Sequence, residues 1–197
     1  MRAEDELASV NMIIGASFGG VPSLTATSDP GLALMMEWLG LAVGSETPVM
    51  VVDVMRVWSS TGIATKAEQS DLNIVLYGFH SDAPHIVVAS NSAADYLNTA
   101  QWSVYLAEAM RAAVTYLSDQ YIGQAKTIIK QPAEFPLQAD REICTNPDEK
   151  YQCYTVTESG ISPIVIPGIP DGQYTADGLE HTEKGRHQQR TGIILCS

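Results

Sequence analysis

Val49-Met50-Val51-Val52-Asp53-Val54-Met55, directly after Pro48, is the stretch that decides the fold. Its run of apolar, mostly β-branched residues without alternation suits a strand buried on both faces, the kind found in parallel sheets. Upstream, Leu32 to Val43 is apolar nearly all round and predicts a buried helix. The turn Thr27-Ser28-Asp29-Pro30-Gly31 leads into it, after a short strand over Ser23 to Ala26. Before that, Leu7, Val10, Ile14 and Phe18 recur at helical spacing. They predict a helix from Glu4 to Phe18, with acids in its first turn and a stop at Gly19-Gly20.

Downstream, a loop rich in Ser, Thr, Gly and Lys runs from Arg56 to about Leu72. Asn73–Tyr77 and Ile86–Ala89 are strand-like, although the first also suits a helix. Ser92-Ala93-Ala94-Asp95 predicts a capping box for a long helix to about Ala112, followed by a strand at Val114 to Leu117. Strands alternating with helices imply an α/β domain, a parallel sheet flanked by helices, over residues 1–130. From 131 to 185 the pattern changes to a Pro- and Gly-rich stretch containing Pro132, Pro136, Pro163, Pro167 and Pro170. That stretch reads as an extended connector leaning on a neighbour, with an atypical tail at 186–197.

The 197 residues carry 23 Asp and Glu against 11 Lys and Arg, a net charge of -12. Such a chain repels phosphate backbones and anionic headgroups, which disfavours nucleic acid and membrane surfaces as partners. No apolar run reaches the about 20 residues that span a bilayer, and the amino terminus lacks an apolar signal region. Cys144, Cys153 and Cys196 form no CxxC pair. A cluster needs four thiolates, so no iron–sulfur centre is expected on this chain alone, and scattered thiols suit a reducing cytoplasm. His80, His85 and His181 fit no metal-ligand spacing.

Two segments offer chemistry. The turn Thr25 to Gly31 enters a helix and presents hydroxyls and free N–H groups to an anion or a polar ring. Its ordinary alternative is a plain helix cap. Arg56 stands just past the carboxyl end of the predicted buried parallel strand, where ligands bind in open α/β sheets. Its planar fork suits a carboxylate, and its ordinary alternative is a surface ion pair.

Beyond these segments, an ordered set of motifs covers about Glu4 to Gly185. It comprises Glu4-Asp5-Glu6-Leu7-Ala8, Thr25-Ala26-Thr27-Ser28, Arg56 with Ser60-Thr61-Gly62, and Lys66 to Leu72. Ser118-Asp119-Gln120, Ser159 to Pro163 and Gly172 to His181 follow. Together they resemble the alpha subunit of 2-oxoglutarate:ferredoxin oxidoreductase and related 2-oxoacid:ferredoxin oxidoreductases. The resemblance implies a thiamin-pyrimidine-type domain of an enzyme complex. That complex would oxidatively decarboxylate a 2-oxoacid to an acyl-coenzyme A and pass electrons to ferredoxin.

Carried over residue by residue, Glu6 matches the glutamate that touches the cofactor's aminopyrimidine, with Glu4 as a solvent-facing neighbour. Arg56 matches the arginine that holds the substrate carboxylate. Thr27, Ser28 and Thr61 are expected to line the pocket, Thr27 and Ser28 toward the cofactor and Thr61 toward substrate. The resemblance further implies thiamin diphosphate shared with a beta subunit, with Mg2+ and a [4Fe-4S] cluster on that subunit. Coenzyme A, ferredoxin and the 2-oxoacid would be the other partners.

The chain departs from the family pattern at Asp29, which stands for Gly, at Trp58-Ser59, which stand for Gly-Pro, and at Ala64, which stands for Pro. Intact relatives are expected to carry an amino-terminal domain, a first strand and a Tyr-Pro-Ile-Thr-Pro loop before Met1, and a further domain after the connector. The alternatives are a truncated, non-catalytic remnant that keeps only a subunit-binding surface, or a transketolase-like thiamin enzyme.

Overall fold

The computed structural model describes residues 1–28, 30–57, 66–80, 82–130, 136–138, 140–175 and 181–185. The elements are α1 (Glu6–Phe18), β1 (Leu24–Thr27), α2 (Pro30–Gly44), β2 (Val49–Met55), α3 (Asp71–Tyr77), β3 (Ile86–Ala89), α4 (Tyr96–Met110), β4 (Ala113–Asp119) and α5 (Gln120–Gln124). All the strand pairings are parallel and the sheet order is β1-β2-β4-β3. The α/β class and the buried parallel strand are thus as the sequence implied.

The elements differ from expectation mainly at their ends. The first helix begins at Glu6 because the Asp5 carboxylate caps it, accepting the N–H of Ala8 at 2.7 Å. The second helix starts two residues early, at Pro30, whose fixed φ suits the first helical position. Asn73–Tyr77 resolves as helix. In the box at Ser92, Ser92 Oγ accepts the N–H of Asp95 and the Asp95 carboxylate accepts the N–H of Asn91. This reciprocal turn precedes the helix, which starts at Tyr96 and stops at the left-handed Arg111, φ 49°.

Side chains alternate across the sheet as strand geometry requires. Val49, Val51 and Met55 of β2 join Ala113 and Leu117 of β4 in one core with Val10, Leu32, Met35 and Leu39 from α1 and α2. On the opposite face Val114 and Val88 pack on Ala107 of α4. Thr27 pairs in register with Asp53, which pairs with Leu117, so all three point toward the α1–α2 face.

The described residues from Asp140 onward form no helix or strand, and an isolated bridge joins Ile143 and Ile164. They pack on the chain's own helix ends at the amino edge of the sheet. Arg141 pairs with Glu108 and donates to the carbonyl and hydroxyl of Ser17. Arg111 pairs with Glu46 at 3.2 Å and donates to the carbonyl of Ser162. His181 lies 3.2 Å from the Gly44 carbonyl and stacks on Tyr154. Cys153, Tyr154, Ile164 and Val165 are buried there. Burial pushes the Cys153 thiol and the Tyr151 and Tyr174 phenols up to about 12. These contacts lie at the opposite end of the sheet from its carboxyl edge.

Candidate cofactor and substrate site

At the carboxyl edge, β1 ends in Thr27-Ser28, β2 leads into Arg56, and the first turns of α1 and α2 meet. Glu6, in the first turn of α1, is half-buried, while Glu4 is exposed. Where Glu6, Thr27 and α2 converge stands Gly31, itself buried. A β-carbon on Gly31 would lie 2.0 Å from Thr27 Oγ1 and 3.0 Å from Glu6 Oε1. Only glycine lets α2 start this close to both groups.

Thr27 Oγ1 is buried with no hydrogen-bond partner. A buried hydroxyl without a partner is costly, so this atom is suited to a polar ligand atom. Beside it, α1 is tied to β1 through Ser9 and Thr25, whose hydroxyls are hydrogen-bonded. This fixes the helix that carries Glu6 against the strand that carries Thr27. The α1 amino terminus is then held over the end of β1.

Arg56 Nε donates to Ser28 Oγ at 3.2 Å, joining the ends of β1 and β2. The backbone just after it is pinned, because Val57 N–H donates to the Lys66 carbonyl at 2.7 Å. Of the residues expected to form the site, Glu6 and Thr27 come together at Gly31, and Ser28 comes to Arg56. Thr61 lies outside the described residues, as do Asp29, Trp58, Ser59, Ala64 and the tail at 186–197.

The histidines go elsewhere. The ring of His85 faces the Ala83 and Val75 carbonyls and stacks on Phe79, whereas His181 is at the amino edge. Among the described residues no cluster of His, Cys, Asp and Glu is placed to hold a metal.

Three positions that the sequence motifs include without a site role of their own come to this edge. Gly31 was legible only as part of a turn, since its role depends on the side chains it meets. Gln69 and Asp119 meet beside Met55, and nothing local in the sequence brings together residues so far apart.

A parallel sheet with carboxylate, hydroxyl and guanidinium gathered at its carboxyl edge is an α/β domain whose polar groups converge where ligands bind in open sheets of this kind. The chain belongs to the family described as "Pyruvate flavodoxin/ferredoxin oxidoreductase, thiamine diP-bdg", whose model matches residues 1–192. It is 39% identical over 188 residues to 2-oxoacid:ferredoxin oxidoreductase 1, subunit alpha, of Sulfurisphaera tokodaii, covering 94% of this chain and 30% of that protein. It is 36% identical to the 2-oxoglutarate oxidoreductase subunit KorA of Mycobacterium tuberculosis, covering 91% of this chain and 28% of that protein.

Among solved structures it matches 2-oxoglutarate:ferredoxin oxidoreductase from Magnetococcus marinus with 2-oxoglutarate, coenzyme A and succinyl-CoA bound. The TM-score is 0.90 at 41% identity, covering 97% of this chain and 33% of that one. The chain therefore spans about a third of the length of these relatives.

Proposed function

We propose that this chain is the thiamin-pyrimidine-type portion of the alpha subunit of a 2-oxoacid:ferredoxin oxidoreductase. The complex would convert a 2-oxoacid, with 2-oxoglutarate favoured by the relatives' names, to an acyl-coenzyme A. The observation that carries the reading is the convergence of the Glu6 carboxylate and the unpartnered Thr27 hydroxyl at Gly31, with Arg56 anchored on the next strand.

These residues fit thiamin diphosphate. Bound there, it would supply the nucleophilic carbon and the electron sink that decarboxylation of a 2-oxoacid needs. Glu6 would hold a proton at a nitrogen of the aminopyrimidine ring, favouring the tautomer that draws the proton from that carbon. Thr27 Oγ1 would take up a polar atom of the same ring, and Gly31 lets α2 start against both groups. Arg56 would bind the substrate carboxylate through its planar fork, its angle fixed by Ser28.

A beta subunit would hold the diphosphate, Mg2+ and a [4Fe-4S] cluster, and ferredoxin would take the electrons. Free Cys144 and Cys153 support a reducing, cytoplasmic setting. No helix among the described residues is long and apolar enough to cross a membrane.

The experiment is to express the complete enzyme carrying this chain and assay coenzyme A-dependent, thiamin-dependent reduction of ferredoxin with several 2-oxoacids. Turnover that disappears when thiamin diphosphate is withheld supports the reading. Absence of turnover with every 2-oxoacid in a cofactor-loaded complex would favour the non-catalytic alternative.

A further inference from the structure

At the carboxyl edge, β4 ends on Asp119, in register with Met55, the residue before Arg56. One oxygen of the Asp119 carboxylate accepts the N–H of Ile122 at 2.7 Å and starts α5. The other accepts the side-chain amide of Gln69 at 3.5 Å. Gln69 lies on the limb 66–70, whose Lys66 carbonyl accepts the N–H of Val57, the residue after Arg56. The backbone around Arg56 is thus paired to β4 at Met55 and bonded to the limb at Val57, and the Gln69–Asp119 contact links those two supports.

We propose that Gln69 and Asp119 are positioning residues for Arg56, acting through this limb and strand rather than touching substrate. The inference rests on the reading of Arg56 as the carboxylate-binding residue. The chemistry of the pair suits the task. An amide can hold a carboxylate by a hydrogen bond without adding a charge of its own to this edge. At 3.5 Å the bond is at the outer limit of hydrogen-bond length, so its loss should shift Arg56 rather than unfold the edge.

The pair can be separated from the helix cap. Gln69→Ala removes the amide and leaves the Asp119–Ile122 bond. Asp119→Ser keeps a capping oxygen and removes the acceptor for Gln69. Gln69→Glu sets two carboxylates against each other, and combining it with Asp119→Asn restores an amide–carboxylate pair with the partners exchanged.

In the complete enzyme, Gln69→Ala and Asp119→Ser should each raise KM for the 2-oxoacid roughly 3- to 10-fold, the worth of one hydrogen bond, with kcat within about twofold. Gln69→Glu should raise it further, and the exchanged pair should recover most of the loss. Hydrogen exchange at the Val57 amide should quicken in Gln69→Ala and return toward wild type in the exchanged pair. That second measurement needs no turnover, so it decides the positioning role even if the assay shows that the enzyme uses no 2-oxoacid. Unchanged exchange at Val57 in Gln69→Ala would overturn the proposal. So would an exchanged pair no better than Gln69→Glu alone.

Discussion

Arg141 and Glu108 form a two-pronged ion pair, Nε to Oε2 at 2.8 Å and Nη2 to Oε1 at 2.9 Å, with each side chain only 3% exposed. The pair fastens the irregular stretch to α4, and Arg141 also holds the Ser17 carbonyl at the end of α1. Breaking one partner leaves an uncompensated buried charge, which costs about 3–5 kcal/mol. Arg141→Ala should lower unfolding free energy by that order in chemical denaturation. Arg141→Met combined with Glu108→Leu should lose much less. Equal losses in the single and double variants would mean that packing, not charge, dominates the contact.

Gly31 is tested by adding one methyl group. Gly31→Ala would drive its β-carbon into Thr27 Oγ1 and Glu6 Cγ, and overpacking of this kind costs about 1–3 kcal/mol. The melting temperature should fall, and affinity of the assembled enzyme for thiamin diphosphate should fall with it. Adding Thr27→Ala relieves the shortest contact and should return part of the stability. It should not return the cofactor affinity, because the hydroxyl proposed to meet the ring is then gone.

Arg56 and Glu6 should fail in different ways in the complete enzyme. Arg56→Ala removes a charged partner of the substrate carboxylate, so kcat/KM should fall roughly 30-fold to a few thousandfold. Arg56→Lys should recover only part, since an ammonium lacks the fork. Glu6→Gln should slow proton exchange at the reactive carbon of thiamin while leaving recognition of the substrate carboxylate intact. Slowed exchange in Glu4→Gln instead would show that Glu6 is the wrong acid and move the role to Glu4.

Alkali should loosen the amino edge. Cys153, Tyr151 and Tyr174 have folded-state values pushed up to about 12 by burial, above their unfolded values. The folded state therefore keeps protons that the unfolded chain gives up. Stability is full below the unfolded values and declines as pH rises from roughly 9 toward 12. Urea midpoints measured from pH 7 to 11 should fall over that range, with Cys153→Ala delaying the onset. A flat profile would contradict the burial of these groups.

The proposed division of cofactor contacts gives one more number. If the diphosphate and its metal are held by a beta subunit, the chain without its partner should bind thiamin diphosphate no better than about millimolar. Calorimetry on the separated chain measures this, and micromolar affinity would place the diphosphate site here.

The sequence by itself determined the α/β class and the buried parallel strand. A double-sided apolar run such as Val49–Met55 has few other solutions, and its neighbours alternate in helical and strand periods. It also singled out the turn that holds Thr27 and Ser28, and Arg56 just past a strand end, because such positions are visible in one dimension, whereas Glu6 was marked only by the family resemblance. Asn73–Tyr77 was ambiguous because a short apolar run fits either period, and burial of Val75 against the α1–α2 face settled it as helix. Only the tertiary structure decided the strand order β1-β2-β4-β3, since pairing between distant segments depends on which faces their helices cover. Only it brought Gly31 under Glu6 and Thr27, Gln69 to Asp119, and Arg141 to Glu108 across 33 positions of chain. Apart from Thr27 and Gly31, which share one turn, those contacts join residues whose local sequence carries no trace of the other, and close approach and burial exist only once the sheet has gathered them.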